Sequence, residues 1–216
     1  ACPVCAGGSF QDSHGATACG TCDEGSFSKP NATRCELCSA GTVTSKSGSA
    51  ECDRCGRGSY SDADGAWNCT NCPIGTYAAI EGSTSCVACG DGSPMWTTMR
   101  RLKVQGAMRW VTADAAEGPE ACGCDVGSRL DESGLCVKCE TEGIDCPGMG
   151  EVYLLPGYYS PPALSVFKCL KFANCVGGSP GKTCAEGREG TACARCLDGY
   201  AEMQDGVCVP CTTGDR

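Results

Sequence analysis

Cysteine pairs are the residues of this chain whose spacing suggests chemistry. Six Cys-x-x-Cys pairs follow one another at steps of 17, 16, 17, 17 and 17 residues. Two such pairs in succession can bind zinc through four thiolates, or the same cysteines can form disulfides. Six consecutive pairs in an acidic chain with a single histidine favour disulfides. The pairs are Cys2/Cys5, Cys19/Cys22, Cys35/Cys38, Cys52/Cys55, Cys69/Cys72 and Cys86/Cys89.

Two disulfide schemes fit this spacing. A hairpin scheme joins the second cysteine of one pair to the first cysteine of the next, whereas a staggered scheme joins Cys2 to Cys19 and Cys5 to Cys22. The sequence leaves both open, and it leaves the connectivity after Cys89 undetermined. The hairpin scheme predicts the bonds Cys5–Cys19, Cys22–Cys35, Cys38–Cys52, Cys55–Cys69, Cys72–Cys86 and, near the end, Cys196–Cys208. It leaves Cys2 and Cys211 single, and we hypothesise that they bond to residues outside this chain or to the next copy of it.

Other positions repeat with the cysteines and predict a hairpin in each unit. A glycine lies three residues after each pair, followed by a serine or threonine and, in the first five units, by an apolar residue. A second glycine precedes the next pair by four residues, with Asn31 as its only substitute. Asparagine tolerates positive φ better than other residues with a side chain, so this position is predicted to be left-handed. Its members are Gly15, Asn31, Gly48, Gly65 and Gly82.

The composition predicts the fold class. The 216 residues include 24 cysteines and 31 glycines but few aromatic residues, which is poor material for one large apolar core. Small units of this kind are stabilised by cross-links, each worth roughly 3 kcal/mol for a loop of about 15 residues. We therefore expect a small disulfide-rich modular protein: tandem short β-hairpin repeats that form an elongated rod, with little helix.

Several features predict a secreted or cell-surface protein. Disulfides persist in oxidising compartments, and Asn31 and Asn68 each begin an N-glycosylation sequon. The net charge of −9 disfavours nucleic acid and anionic membrane surfaces as partners, and no apolar run is long enough to insert into a membrane. Because the chain begins at Ala1-Cys2, we expect that a signal peptide has been removed or that this is a segment of a longer protein.

The regular spacing divides the chain at residue 93. Residues 1–93 hold the six repeats, and residues 94–121 form an insertion that contains tryptophan and arginine. Alternating apolar and polar residues on both sides of Gly106 predict two strands. The insertion either lies against the repeats or docks onto a partner, because tryptophan and arginine often anchor interfaces. The candidate interface residues here are Trp96, Arg100, Arg101 and Trp110.

The rest of the chain divides into three further segments. Residues 122–146 contain Cys122, Cys124, Cys136, Cys139 and Cys146 and resemble an EGF-like cysteine-rich segment. Residues 147–183 are a tyrosine- and leucine-rich segment, and residues 184–216 are a tail. The middle segment ends in a loop that we expect to be stapled by its flanking cysteines, Cys175 and Cys184. Its apolar residues form either a small core or an interface with another subunit. The candidate interface residues are Tyr153, Leu155, Tyr158 and Tyr159.

Three features that could suggest catalysis or ligand binding have weak support. The single histidine, His14, lies at a turn and has no evident partner. Residues 176–183 are similar to a phosphate-binding loop but have Val176 in place of the first glycine, and Asp62–Gly65 is too short for a calcium loop. We therefore predict no enzymatic activity, no metal site and no cofactor.

The repeats resemble known families. The strings CAGGSFQDSHGATACGTC and CPIGTYAAIEGSTSCVAC resemble the cysteine-rich repeats of ephrin-receptor-like modules and the first hairpin of tumour-necrosis-factor-receptor repeats. The tail string GREGTACARCLDGY is similar to EGF-like and laminin-type EGF modules. These resemblances imply an extracellular, non-enzymatic protein that binds other proteins or builds assemblies. Combinations of such repeats with this type of tail also resemble surface or flagellar-hair filament proteins of unicellular eukaryotes.

From these observations we expect an extracellular structural or assembly protein. Its partners would be copies of itself or other extracellular proteins, and it would carry N-linked glycans. The alternative is the ligand-binding ectodomain of a cell-surface receptor, because both functions use the same kind of scaffold.

Overall fold

The computed structural model describes residues 4–13 and 17–211. The chain forms two compact units, residues 1–123 and 124–216. Both contain short antiparallel hairpins closed by disulfides, and the only helices of the described part are three single 3₁₀ turns, at Pro119–Ala121, Phe172–Asn174 and Thr191–Cys193. The predicted fold class, a disulfide-rich protein of small hairpins with little helix, is therefore confirmed.

Six consecutive disulfides divide the first unit into loops 1 to 6. The loops are Cys5–Cys19, Cys22–Cys35, Cys38–Cys52, Cys55–Cys69, Cys72–Cys86 and Cys89–Cys122. The first five are the bonds of the hairpin scheme, and the staggered scheme is not formed for Cys5 and Cys22. In each of the five, a two-residue strand begins directly after the glycine inside the loop, and its partner strand begins directly after the cysteine that closes the loop.

The strands of the first unit are numbered in chain order. They are β1 (Ser9–Phe10) with β2 (Gly20–Thr21), β3 (Ser26–Phe27) with β4 (Glu36–Leu37), β5 (Thr42–Val43) with β6 (Asp53–Arg54), β7 (Ser59–Tyr60) with β8 (Thr70–Asn71), and β9 (Thr76–Tyr77) with β10 (Val87–Ala88). Loop 6 contains β11 (Trp96–Val104) and β12 (Ala107–Thr112). They belong to a three-stranded sheet in the order β12-β11-β13, in which β13 (Cys122–Cys124) begins at the cysteine that closes the loop.

The repeated serine or threonine closes the turn before each first strand. In loops 1 to 5 its hydroxyl donates to the carbonyl of the residue that follows the first cysteine, as Ser26 does to Asp23 at 2.7 Å and Thr42 to Ser39 at 2.7 Å. A hydroxyl three residues after a turn carbonyl is suited to this bond. The repeated hydroxyl is therefore part of the turn.

Neighbouring loops are joined by backbone hydrogen bonds. The turn residue of each loop donates its N–H to the carbonyl of the first cysteine of the loop before it, with distances of 2.7–2.9 Å. Its φ is positive: 65° at Asn31, 74° at Gly48, 76° at Gly65 and 75° at Gly82. The left-handed turn predicted from the glycine and asparagine pattern is confirmed at these four positions, and Gly15 lies outside the described residues.

Loop 6 continues this pattern beyond residue 93. Ala115 has φ 52° and donates its N–H to the carbonyl of Cys72 at 2.9 Å, as the turn residues of the earlier loops do. The insertion predicted for residues 94–121 is thus a long hairpin within a sixth repeat, and that repeat closes at Cys122. Gln105 and Gly106, both at positive φ, form its two-residue turn. The two strands predicted on either side of Gly106 are confirmed.

The second unit contains five more antiparallel hairpins. They are β14 (Ser128–Leu130) with β15 (Cys136–Lys138), β16 (Ile144–Gly148) with β17 (Glu151–Leu154), β18 (Tyr158–Tyr159) with β19 (Phe167–Lys168), β20 (Arg188–Glu189) with β21 (Arg195–Cys196), and β22 (Tyr200–Glu202) with β23 (Cys208–Pro210). The disulfides are Cys124–Cys136, Cys139–Cys146, Cys169–Cys175, Cys184–Cys193 and Cys196–Cys208, the last as the hairpin scheme predicts.

The staple predicted between Cys175 and Cys184 is not formed. Cys175 is bonded to Cys169, and Cys184 to Cys193. The two cysteines face each other across a β-bridge, and Val176 donates its N–H to the carbonyl of Thr183 at 2.9 Å. Backbone hydrogen bonds therefore close this loop, and its two flanking cysteines form disulfides with the segments before and after it.

Cystine sulfur makes up most of the buried apolar material. Among the largest fully buried side chains are those of Cys22, Cys38, Cys55, Cys72 and Cys89, each at most 1% exposed. A small core in the second unit is built from Cys169, Cys175 and Cys193, with Tyr159 packed against it. Since the disulfides replace a large apolar core, most other side chains of each loop remain at the surface.

Candidate interaction surfaces

The segments that could suggest catalysis or ligand binding have structural explanations. The carboxylate of Asp64 accepts a hydrogen bond from the N–H of Ala40 in the preceding loop, at 2.9 Å. The glycine-rich residues 176–183 are closed by backbone bonds and do not lead into a helix. In the described ranges no group of three or more His, Cys, Asp or Glu side chains is placed to hold a metal. His14 lies outside these ranges. The candidate functional features of the described residues are therefore exposed surfaces that could bind a partner.

The first surface is the hairpin β11–β12, which we call the basic hairpin. Its base is fixed by Thr98, which is fully buried: its hydroxyl accepts the N–H of Gly75 at 3.1 Å and donates to the carbonyl of Ala113. Every residue from Arg100 to Arg109 is exposed. The far half of the hairpin therefore presents its side chains to solvent on both faces.

The four candidate residues of this hairpin differ in position. Trp96 is half-buried against Gly90, where an added Cβ would lie 2.2 Å from the indole ring. Trp110 is also half-buried, and the guanidinium of Arg101 lies 4.9 Å from the centre of its ring. Arg100 and Arg101 are exposed. The two tryptophans thus support the hairpin.

Exposed apolar residues near the tip were not identified from sequence. Leu102, Val104 and Met108 are 40%, 37% and 59% exposed. Alternation normally marks a strand with one face in a core, but these three side chains are exposed. The hairpin extends past its buried base, and residues 100–109 are exposed. Apolar side chains between cations are typical of protein interfaces, which are enriched in arginine, methionine and aromatic residues.

The tyrosine-rich segment divides in a similar way. Tyr158 lies over Gly143, and its hydroxyl donates to the carboxylate of Glu142, which raises the pKa of Tyr158. Tyr159 packs against Phe167, with ring centres 6.2 Å apart, and against the sulfur core. Tyr153 and Leu155 are 38% and 45% exposed. The structure therefore leaves two of the four candidates, Tyr153 and Leu155, at the surface.

A second apolar surface lies in the short loop Cys169–Cys175. Leu170 is fully exposed, at 101%, and Phe172 and Val176 are 70% and 58% exposed. The disulfide holds this loop with its apolar side chains outward, and Phe172 covers Gly157. Sequence reasoning missed this loop because its six-residue separation between cysteines differs from the repeat.

A third feature of the second unit is an open groove with a volume of about 740 Å³. We call it the Leu130 groove. It is formed by the β14–β15 turn, by β17 and by the loops near residues 163–165 and 180. Its lining includes Leu130, Asp131, Glu132, Val152, Leu164 and Pro180. The volume is within the range of about 300–1,000 Å³ that is common for ligand sites. Sequence reasoning missed the groove because its lining comes from four separate parts of the chain.

Both predicted glycosylation sites are at the surface. Asn31 and Asn68 are exposed, and so are the threonines of their sequons, Thr33 and Thr70. Asn31 uses its backbone N–H for the bond to Cys5, so its side chain is not part of the bond between loops. Both asparagines are therefore accessible to solvent.

Cys211 is exposed and makes no disulfide among the described residues. Its N–H donates to the carbonyl of Gly199 at 2.7 Å, as the N–H of Cys22 does to Gly8 at 3.0 Å. Cys211 thus has the backbone position of a cysteine that begins a loop. Cys2 lies outside the described residues, so a bond between the two cysteines remains a hypothesis.

Comparison with known proteins agrees with the geometry of the first unit. No curated protein matches the chain. No helix in residues 4–13 and 17–211 has the length and apolar character needed to cross a membrane. The family model described as "Tyrosine-protein kinase ephrin type A/B receptor-like" matches residues 25–68 and 58–99. The match does not extend to the tail, where the EGF-like resemblance is not confirmed. The many disulfides of the chain, together with these repeats, are features of an extracellular or cell-surface protein. Loops 2 to 5, with the start of loop 6, are the part of the chain that is similar to this family of cysteine-rich repeats.

Proposed function

We propose that this is a non-enzymatic extracellular assembly protein whose disulfide loops support surfaces that bind further copies of the chain. The observation that carries the proposal is the basic hairpin. It has a buried anchor at Thr98, four exposed cations and three exposed apolar side chains. An ordered hairpin with this composition is suited to contact with another protein.

A hairpin-shortened variant tests the proposal. Arg101 and Trp110 are cross-strand partners, so replacing residues 102–109 with Asn-Gly would close the hairpin through a two-residue turn and keep Thr98 and the Arg101–Trp110 contact. We expect the wild-type protein to sediment as concentration-dependent oligomers and the shortened variant as a monomer.

The matched control is Ile80→Ser, which removes an apolar side chain that is 70% exposed on loop 5. This variant should oligomerise as the wild type does. A wild-type protein that remains a monomer at every concentration would overturn the assembly function.

The second candidate function is a ligand-binding receptor ectodomain, which the ephrin-receptor-like match favours. The same surfaces would then bind a soluble protein. Sedimentation of the purified protein distinguishes the two functions. An assembly protein forms oligomers, whereas an ectodomain that serves only as a receptor stays monomeric without its ligand.

A further inference from the structure

The outer edge of the basic hairpin is open. β12 is the last strand of its sheet, and within residues 4–13 and 17–211 no further strand pairs with its outer side. Its pairing with β11 runs from Thr112 to Ala107 without a bulge, and among the described strands only β11 is longer. An open edge presents a row of unpaired backbone groups, which can pair with a strand of another chain.

One hydrogen bond at the base of the hairpin shows which backbone groups point outward. Ala113 donates its N–H to the carbonyl of Thr98 at 2.8 Å, so the backbone groups of Ala113 face β11. This direction alternates from residue to residue in an antiparallel pair, so Met108, Trp110 and Thr112 direct their N–H and C=O groups away from β11. In the described part of the chain these outward groups make no backbone hydrogen bond. Each of the three residues therefore offers a donor and an acceptor to a partner.

The side chains around this edge are basic. Residues 95–113 contain four of the 17 basic residues and none of the 26 acidic residues. Arg101 already has interactions within the chain and is not counted. The other three, Arg100, Lys103 and Arg109, are exposed, and no ion pair between described residues involves them. The edge therefore attracts an acidic segment more than a neutral or basic one.

The strand register places two of these cations on one face. Arg109 is opposite Leu102, and Arg100 is two residues before Leu102, so the three side chains share a face. Met108 and Trp110 lie on the other face. A strand added beside β12 would place one side chain next to Arg109 and another, two residues along, on the side of Arg100. A segment that alternates acidic and apolar residues would thus present carboxylates to the arginines and apolar side chains to Met108 and Trp110.

The β12 strand of a second copy is less suited to this edge. Pairing of two such strands would bring two basic hairpins side by side, and like charges on neighbouring strands destabilise a sheet. Basic side chains at an open edge protect a protein against pairing with itself. They favour pairing with an acidic strand, because opposite charges on neighbouring strands are stabilising.

We propose that the outer edge of β12 binds an extended segment of a partner protein as an added antiparallel strand, and that this segment alternates acidic with apolar residues. Strand addition to an open edge takes its affinity from backbone bonds and its specificity from side chains. Here Met108, Trp110 and Thr112 supply the backbone groups, and Arg100 and Arg109 select carboxylates. The inference goes beyond the assembly function, because the partner is a different protein.

Synthetic peptides test this edge with the wild-type protein. The probe is the capped, fluorescently labelled peptide Thr-Val-Glu-Val-Glu-Val-Thr. One control peptide has lysine in place of both glutamates. The other carries N-methyl groups on the valines, whose N–H groups would face β12. Fluorescence anisotropy should show that each control binds about tenfold or more weakly than the probe, because the first reverses the charge pairs and the second removes the backbone donors.

The variant Met108→Pro tests the same bonds from the side of the protein. Proline removes an N–H that points away from β11, so the hairpin keeps its internal bonds. The matched control is Met108→Ala, which removes the side chain and keeps the N–H. We expect Met108→Pro to bind the probe about tenfold more weakly than Met108→Ala does. The variant Arg100→Glu with Arg109→Glu should prefer the lysine peptide to the probe.

Several outcomes would overturn the inference. A wild-type protein that binds none of the peptides has no such edge site. Equal binding of the probe and the N-methylated peptide would show that the cations alone hold an anion, as they would hold a polyanionic glycan. Self-association that is lost in Met108→Pro and kept in Met108→Ala would assign the edge to a second copy. Sedimentation measures self-association separately, so failure of the assembly function leaves the peptide test valid.

Discussion

At the scale of single residues, glycine is required where the backbones of two loops meet. Gly41 has φ +83°, and a Cβ at that position would lie 2.2 Å from the carbonyl oxygen of Gly82, two loops further along the chain. Gly8, Gly25 and Gly58 have similar contacts, each with a turn residue two loops away. These glycines provide both a positive φ and space for the neighbouring backbone.

The substitution Gly41→Ala should therefore be much more destabilising than Gly92→Ala. Gly92 has the same place in its repeat and a φ of +77°, but its nearest neighbour would be 3.9 Å from an added Cβ. We expect about 1–2 kcal/mol for Gly92→Ala from the positive φ alone. Gly41→Ala should cost roughly 3 kcal/mol or more, because the backbone of loop 5 must move. Urea unfolding with the disulfides intact measures both, and equal losses would exclude the close approach as the cause.

Threonine substitutions test the two glycosylation sites without changing the asparagines. Asn31 is at φ 65°, so its replacement would disturb a left-handed turn, whereas Thr33 and Thr70 are exposed. In protein secreted from a eukaryotic host, Thr33→Ala and Thr70→Ala should each lower the intact mass by one glycan. Enzymatic removal of N-glycans should abolish the difference. A wild-type mass equal to that of the bare polypeptide would show that neither sequon is used.

At the scale of elements, Arg188 connects three parts of the second unit. Its side chain is 3% exposed and donates to the carbonyl of Cys193 at 3.3 Å, to the carbonyl of Gly206, and to the carboxylate of Glu202 at 2.9 Å. Lys171 also contacts this carboxylate, at 3.1 Å. The disulfides close each loop, and this arginine holds neighbouring loops to one another.

We expect the cluster to make the stability of the second unit depend on pH in the acid range. The hydrogen bond from Arg188, with further contributions from Lys171, holds the pKa of Glu202 below its ordinary value. A lowered folded-state pKa gives stability that is present above the unfolded-state pKa and is lost as the pH falls through the folded-state value. The loss should begin below about pH 4.3. Unfolding midpoints across this range should fall for the wild type and change less for Glu202→Gln.

A comparable surface pair provides the control for this measurement. Glu189 and Arg195 are 3.0 Å apart, but the arginine side chain is 73% exposed, so solvent screens the pair. Glu189→Gln should keep the acid sensitivity of the wild type. If Glu202→Gln keeps it too, the cluster around Arg188 does not control the response.

At the scale of the whole molecule, local patterns could be predicted and long-range arrangements could not. The substitution of glycine by Asn31 predicted the left-handed turns, and the constant spacing was sufficient to propose the five bonds from Cys5–Cys19 to Cys72–Cys86. The sixth loop escaped prediction because Ala115 occupies its turn, at φ 52°. Alanine avoids this conformation, which costs about 1–2 kcal/mol, and it is held there by the N–H bond to Cys72.

The candidate surfaces were predicted only in part for the same reason. A sequence shows that tryptophan, tyrosine and arginine are available, but exposure depends on what packs against each of them. Trp96 lies on Gly90 and Tyr158 on Gly143, whereas Met108 and Leu170 are left outside. The Leu130 groove depends on segments about fifty residues apart, from Arg129 to Pro180, and no local pattern marks such a meeting.

The backbone bonds between successive loops have an evolutionary consequence. Each joint uses an amide, a carbonyl and a small residue, so it places few demands on the rest of the loop. Loop 2 is one residue shorter than its neighbours, and loop 6 accommodates a long hairpin at the same type of joint. Repeats of this kind can be duplicated, lost or given a new recognition segment while adjacent repeats keep their sequences. The scaffold is therefore suited to the insertion of new binding loops.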